Sequence, residues 1–249
     1  MLMRYTQITN PKRITYNMKI LFRFLILLLS LNVSAQHEIR TALESGANNV
    51  SEGTFLKLVA GYDYQWENLS VGADVRSRLI GNGTRMMDAF RAKVVLPFTV
   101  SEQKVEAMLF YQYLSMSDLI YESNPGFLLT HKRKSFTYTL GTHVRSYLYT
   151  NKFDETLTDN SFTEWLNLIY EIKYRFINTE KWQATVAVTN YDQFLIHQES
   201  NPFLSTTFQY AVDKHFNMYA TANYFTAGAF NLHVNSFGLW LRLGANVQF

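Results

Sequence analysis

Apolar and polar residues alternate with a period of two over the last 13 residues of the chain, 237–249. Counting back from the end, every second position is apolar, and the positions between are mostly polar or small. The apolar set is Phe249, Val247, Ala245, Leu243, Leu241, Leu239 and Phe237. Successive side chains of a β-strand point to opposite sides, so this pattern predicts a strand with one apolar and one polar face.

The same alternation recurs along the chain and predicts further strands. In residues 56–66, for example, the apolar face ends in Tyr62, Tyr64 and Trp66. The predicted strands are 39–45, 56–66, 69–80, 90–98, 105–113, 135–149, 162–176, 182–196, 204–212, 218–225 and 237–249. Short links at 177–181 and 213–217 predict turns at one end, and longer polar links at 197–202 and 226–233 predict loops at the other.

The beginning of the chain has a different pattern. Met18, Lys19 and Arg23 precede an apolar run over 24–31, and small residues follow up to Ala35. A basic segment, a short apolar run and a small-residue cleavage site are typical of a secretory signal peptide. The run is shorter than the roughly 20 residues that a membrane-anchoring helix needs. We expect 1–35 to be an N-terminal extension plus a cleaved signal peptide, with Met18 as the true start, and 36–249 to be a single domain.

The signal peptide, the repeated alternation and the closing strand together resemble bacterial outer-membrane β-barrel proteins. The resemblance implies an all-β, antiparallel, up-and-down transmembrane β-barrel in the outer membrane, with outer-membrane lipids and the barrel-assembly machinery as partners. In that family the final aromatic residue serves as an assembly signal, which here would be Phe249 together with Val247 and Ala245. The closing strand would pair with the strand at 39–45 or with the one at 56–66.

The number of strands in such a barrel should be even, because both termini lie on the periplasmic side. The alternating segments number eleven. A further strand near 121–131, followed by a basic turn at 132–134, would make 12 strands, whereas merging or losing one would make 10. We therefore predict a barrel of about 12 strands, with 10 as the alternative.

The charge of the chain depends on its first segment. The whole chain has 23 Lys and Arg against 20 Asp and Glu, a net charge of +3. Residues 1–35 contain five of the basic residues and no acidic one, which leaves 18 basic and 20 acidic residues and a net charge of −2. A nucleic-acid partner therefore has no support. The chain has no cysteine, which excludes disulfides and thiolate chemistry.

If the apolar faces point outward, the charged residues of these strands point into the lumen. The candidates are Lys57, Asp63, Asp74, Arg76, Arg78, Arg91, Lys93, Glu106, Glu171, Lys173, Arg175 and Arg242. A symmetric register about a turn at 81–84 would place Arg76 near Arg91 and Asp74 near Lys93. These charges could form a basic patch that favours anions. Alternatively, they could pair and fill a small barrel, with Asp63 and Glu106 as counter-charges.

Enzymatic chemistry has little support in the sequence. Outer-membrane phospholipases carry a His-x-Ser pair, because a serine nucleophile needs a base within hydrogen-bond reach. None of the six histidines is followed by serine two residues later. They are His37, His131, His143, His197, His215 and His233. No metal-binding motif is present. We expect no catalytic residue, cofactor or metal ion.

Three functions remain open. The first is a non-enzymatic narrow pore or uptake protein for small solutes. The alternative is an envelope-structural or surface-binding barrel with a filled lumen, and a less favoured third is a lipid-modifying enzyme, for which His131 and His143 would be the candidates. The fold does not choose among them, and a barrel of this size lies between filled 8-stranded barrels and open 16-stranded porins.

Overall fold

The computed structural model describes residues 36–48, 53–66, 68–80, 87–115, 120–149, 161–196, 201–225 and 238–249. Within these ranges the chain forms a closed antiparallel barrel of twelve strands. The strands are β1 (Gln36–Asn48), β2 (Gly53–Trp66), β3 (Leu69–Ile80), β4 (Met87–Val100), β5 (Gln103–Ser115), β6 (Ile120–Arg133), β7 (Phe136–Tyr149), β8 (Ser161–Asn178), β9 (Trp182–Thr189), β10 (Phe203–Ala211), β11 (Phe216–Phe225) and β12 (Leu239–Gln248). No helix in this part of the chain is long and apolar enough to cross a membrane.

Some predicted features lie outside the described residues. They are the signal peptide and the extension before it, the turn at 81–84, the loop at 226–233 and most of the loop at 197–202.

The strand count of 12 is confirmed, and the alternative of 10 is wrong. The additional strand is β6, which pairs with β5 on one side and β7 on the other. Strand β12 closes the barrel against β1, with Leu243 opposite Leu43, and not against β2.

The two faces of the wall differ as the alternation predicts. Leu239, Leu241 and Leu243 on β12 are exposed, whereas Trp240 and Arg242 between them are buried. Because the barrel is closed, the buried charged face is the inner one. The outer face is an apolar belt of the kind that contacts lipid, and the lumen is charged, as in outer-membrane barrels.

Short turns mark the end of the barrel that holds both Gln36 and Phe249, which is the periplasmic end in such barrels. The turn between β4 and β5 has only two residues, Ser101 and Glu102, both with positive φ (47° and 68°). Aromatic rings gather at this end, as Tyr64 and Trp66 do with ring centroids 4.2 Å apart. Rings at the membrane–water interface are typical of the aromatic girdles of these barrels.

The prediction of a single strand over 182–196 is wrong in its second half. Strand β9 ends at Thr189, and residues 190–196, which we call the luminal link, leave the wall. Asn190 ends the ladder because its side chain takes over the backbone partners on β8. Its Nδ2 donates to the Leu168 carbonyl and its Oδ1 accepts from the Tyr170 N–H, both at 2.8 Å.

The luminal link folds into the lumen and is closed on itself by a bridge between Tyr191 and Ile196. Phe194, at its tip, is fully buried. The ring packs in a cluster with apolar side chains from four strands, namely Ala42, Val59, Ala89 and Leu114. The guanidinium of Arg76 lies 5.2 Å from the ring centroid of Phe194. The link therefore fills part of the lumen on the external side.

The predicted register between β3 and β4 is also wrong. Asp74 lies opposite Arg91, and Arg76 lies opposite Ala89, so Arg76 does not face Arg91. The observed pairs from Ser70–Val95 to Arg76–Ala89 are numerically symmetric about 81–84, so the prediction is wrong because it displaces each partner by two residues. The observed register places opposite charges directly across the ladder, which is favourable where like charges would repel.

Candidate functional site in the charged lumen

A chain of alternating charges follows five neighbouring strands around the inner wall and ends on the luminal link. We call it the upper network; its members in order are Lys57, Asp88, Arg76, Glu44, Arg242 and Asp192. At one end, Lys57 Nζ lies 3.0 Å from Asp88 Oδ2, and Arg76 Nε donates to Asp88 Oδ1 at 3.1 Å. Three cations and three carboxylates balance in this network, which compensates for their burial.

Glu44 joins the two arginines of the upper network. Its Oε1 accepts from Arg76 Nη1 at 3.3 Å, and its Oε2 accepts from Arg242 Nε at 3.0 Å. The β1 ladder puts Glu44 directly opposite Arg242 on one side and Lys57 on the other. A central position between cations is what allows this carboxylate to be almost completely buried.

Arg242 meets Asp192 of the luminal link fork to fork. Nη1 donates to Oδ1 at 3.1 Å, and Nη2 donates to Oδ2 at 2.7 Å. Two parallel charge-assisted bonds of this kind are among the stronger polar contacts in proteins. The link is thus attached to the wall by an ion pair as well as by Phe194.

A second group of charges, the lower network, lies nearer the periplasmic end. Its members are Glu38, Arg40, Asp63, Asp74, Arg91 and Lys93. Arg40 contacts both Asp63 and Asp74, the second at 2.7 Å from Nη2 to Oδ1. Lys93 Nζ lies 3.0 Å from Asp63 Oδ1. Asp63 and Asp74 are therefore each shared by two cations, and Glu38 contacts Arg40.

Two glycines make room for the carboxylates of the lower network. Gly61 lies opposite Asp74, and Gly72 lies opposite Asp63 in the β2–β3 ladder. A β-carbon at either glycine would overlap the facing carboxylate oxygen. Glycine in a strand often marks such a close approach.

A third charged group, on the opposite wall, also touches the link. Arg145 Nε lies 3.0 Å from Glu122 Oε1, and the same guanidinium donates to the carbonyl of Ile196. Gln112 Nε2 donates to the carbonyl of Gln193 at 3.3 Å. The link is consequently held from both sides of the barrel.

A cavity of about 370 Å³ lies in the lumen beside the link. One part of its lining is cationic and consists of Arg40, Arg91, Lys93, Lys173 and Arg242. Another part, on β10 and β11, is polar and uncharged and includes Ser205, Thr207, Thr221 and Asn223. Two carboxylates, Glu171 and Asp192, also reach it. Five cations against two carboxylates make the lining net positive.

The structure distributes the predicted lumen residues unequally. Asp63, Asp74, Arg91 and Lys93 meet in the lower network, and Lys57, Arg76 and Arg242 meet in the upper one. On β8, Lys173 Nζ lies 3.0 Å from Glu171 Oε1.

Glu106 and Arg175 lie apart from these groups, and Arg78 lies next to a member of the upper network. Glu106 accepts from Lys132 Nζ at 2.6 Å on a solvent-exposed part of the barrel, and does not contact the luminal cations. Arg175 donates to Asn178 Oδ1 at 3.2 Å near the periplasmic end. Arg78 is half-buried and lies opposite Lys57 in the β2–β3 ladder.

Sequence reasoning missed several members of the networks, above all Arg40, Glu44, Asp88 and Asp192. Arg40 and Glu44 share a face with Ala42, and parity along β1 could have assigned them to the lumen. Asp88 precedes the predicted start of its strand. Asp192 carries no local signal, because only the departure of the link from the wall brings it to Arg242.

A carboxylate with a lowered pKa lies outside the luminal networks, in a turn. Asp213 lies in the turn after β10, where its carboxylate accepts from the N–H groups of His215 at 2.7 Å and Phe216 at 2.8 Å. These bonds hold the pKa of Asp213 below its ordinary value. In the described ranges no group of three or more His, Cys, Asp or Glu side chains could hold a metal ion.

The fold is similar to that of known outer-membrane porins. One solved structure, the KdgM porin in complex with disordered oligogalacturonate, superposes with a TM-score of 0.51 at 10% identity, covering 86% of this chain and 99% of that chain. A second structure of the KdgM porin gives a TM-score of 0.51 at 8% identity over the same shares of the two chains. The NanC porin gives 0.48 at 10% identity, with 85% and 98% covered.

No protein-family model matches the chain, and no curated protein matches it. The closed twelve-stranded barrel, its apolar outer belt and its porin-like fold make the chain a bacterial outer-membrane β-barrel protein. The protein is located in the bacterial outer membrane.

Proposed function

We propose that this barrel is a non-enzymatic, narrow pore or uptake protein for small anionic solutes. The observation that carries the proposal is the cationic part of the luminal cavity. Asp74, which is fully buried, lies behind Arg40 and Arg91, so it holds these cations in place without lining the cavity. The lower network thereby presents positive charge to the cavity, while its carboxylates do not line the cavity.

The size and the uncharged lining of the cavity support the same proposal. A volume of about 370 Å³ falls at the lower end of the range for small-molecule sites. Ser205, Thr207 and Thr221 add hydroxyl groups to the cavity lining. Such a surface could hydrogen-bond polar groups of a solute whose negative charge faces the arginines.

Single-channel recording in planar lipid bilayers tests this function. The folded protein should conduct, and its reversal potential in a salt gradient should show preference for chloride over potassium. Lys93→Gln and Lys173→Gln should reduce that preference, because both remove a cavity-lining cation. Lys132→Gln removes the same charge from an exposed position and serves as the matched control. A folded barrel without conductance, or with cation preference, would contradict the proposal.

A specific observation favours a second candidate, an envelope-structural or surface-binding barrel with a filled lumen. Phe194 is fully buried inside the barrel, and the link that carries it is bonded to opposite walls by Asp192 and Ile196. This candidate predicts no conductance from correctly folded protein under any salt condition. It also predicts a binding partner for the external loops.

The proposal leaves the lipid-modifying enzyme as the least supported function. His131 Nδ1 contacts the Lys104 carbonyl at 3.2 Å, close to the periplasmic turns, and His143 is buried in the wall. Alanine variants of both histidines should leave any lipase activity of a preparation unchanged. The expected partners are outer-membrane lipids at the apolar belt and the barrel-assembly machinery.

A further inference from the structure

The Asp192 carboxylate contacts Arg242 in the way that a carboxylate ligand contacts an arginine in a binding site. Asp192 bonds only the outer end of the guanidinium, Nη1 and Nη2, whereas Glu44 of the wall bonds Nε and shares Nη2. Both residues of the pair also line the luminal cavity. A carboxylate that entered the cavity could therefore take the place of the Asp192 carboxylate on Arg242.

The charges of the wall point to the same conclusion. The wall strands supply three cations to the upper network, Lys57, Arg76 and Arg242, but only two carboxylates, Glu44 and Asp88. The third carboxylate, Asp192, comes from a link that lies outside the wall. Without the link, the wall would have one unbalanced positive charge at Arg242.

We propose that the end of the Arg242 guanidinium is a binding site for a carboxylate solute, and that Asp192 fills this site as a tethered competitor. The inference rests on the proposed function, in which small anions enter the lumen. A bound solute would displace Asp192 and release one of the attachments of the luminal link. The other attachments described above, Phe194 and the carbonyls of Gln193 and Ile196, do not involve Arg242.

The site should prefer carboxylates over monatomic anions. The planar fork of an arginine matches the two oxygens of a carboxylate, whereas a spherical anion can use this geometry only in part. Chloride should therefore pass the cavity without displacing Asp192 efficiently.

The test is calorimetric titration of the detergent-solubilised, folded barrel with sodium gluconate, with sodium chloride as the comparison anion. Asp192→Asn removes the competing charge, so gluconate should bind at least about tenfold more tightly than to the unaltered chain, as expected if Asp192 fills the site nine-tenths of the time. Arg242→Gln should abolish binding. Asp213→Asn, the same change in an exposed turn, is the matched control and should bind like the unaltered chain. Heat-modifiable migration on gels shows that each variant is folded.

The inference would be overturned if gluconate bound the unaltered chain and D192N with equal affinity. It would also be overturned if D192N bound gluconate no more tightly than it binds chloride. If Arg242→Gln does not fold, the double variant E44Q/R242Q keeps the charge balance of the network and must also lose binding. Binding is measured without conductance, so the two proposals can fail separately. If D192N binds gluconate more tightly but the barrel does not conduct, the proposed carboxylate site is supported and the proposed pore is contradicted.

Discussion

Asp74 lies directly opposite Arg91 in the β3–β4 ladder, and its Oδ2 accepts from Nε at 3.2 Å and from Nη2 at 3.1 Å of that guanidinium. Its other oxygen accepts from Arg40 at 2.7 Å. One buried carboxylate thus holds two arginines that come from strands β1 and β4, on either side of β2 and β3. The lower network therefore connects strands of the barrel wall, and its three cations also line the cavity.

Asp74→Asn should destabilise the barrel strongly. The amide keeps the shape of the side chain but removes the charge shared by Arg40 and Arg91, and loss of one member of a buried ion pair costs about 3–5 kcal/mol. Urea titration of the protein in lipid vesicles measures the free energy of unfolding. Glu102→Gln, in the exposed turn after β4, is the control and should change it little. An unfolding midpoint for D74N that matches the control would show that the network does not brace the wall.

Gly72→Ala should also destabilise the barrel, although it adds a single methyl group. Its β-carbon would overlap the Asp63 carboxylate and lie 2.7 Å from Lys93 Cε, so both partners of an ion pair must move. Overpacking of this kind costs about 1–3 kcal/mol. The control is Ala73→Val, which enlarges the neighbouring, lipid-facing position. Equal stability of the two variants in the urea titration would contradict this role of Gly72.

The strands and their faces could be predicted because they depend on a local pattern. A period of two is visible within ten residues, and Leu239, Leu241 and Leu243 lie on the outer face as that pattern requires. The even number of strands then favoured the additional strand that became β6, with a 10-stranded barrel as the alternative. Both steps use the chain alone and need no knowledge of neighbours in space.

The site could be predicted only in part, because its contacts depend on register and on departures from the wall. The observed register places Asp74, and not Arg76, opposite Arg91 of β4. The luminal link separates from β9 because Asn190 bonds to the backbone of β8, about 20 residues earlier in the chain. No alternation within residues 182–196 distinguishes this outcome from a longer strand.

Asp213→Asn should make the stability of the barrel less dependent on acid. The two N–H groups that bond Asp213 keep its pKa below the ordinary value of about 3.9, so its contribution is fully present above that pH. The contribution is lost as the pH falls through the lowered pKa, when the carboxylate is protonated. Urea titrations between pH 5 and pH 2 should show a smaller loss for D213N than for the unaltered chain. Identical pH dependence of the two proteins would show that this turn does not contribute.

Phe194→Ala should loosen the luminal link without unfolding the barrel. The fully buried ring packs with Ala42 and three other wall residues, and its truncation removes a contribution of about 3–5 kcal/mol that holds the link in the lumen. Because the chain has no cysteine, Ala42→Cys provides a single thiol beneath the ring, whose rate of reaction with a small maleimide reports access.

The thiol should react slowly when Phe194 is present and at least about tenfold faster in F194A, because a weakening of a few kcal/mol changes the docked population by such factors. Phe208→Ala removes the same ring from the lipid-facing side of β10 and is the matched control. Its labelling rate should equal that of the A42C protein alone. If A42C reacts at one rate with and without Phe194, the link does not cover the inner wall, and the lumen at this level is already open.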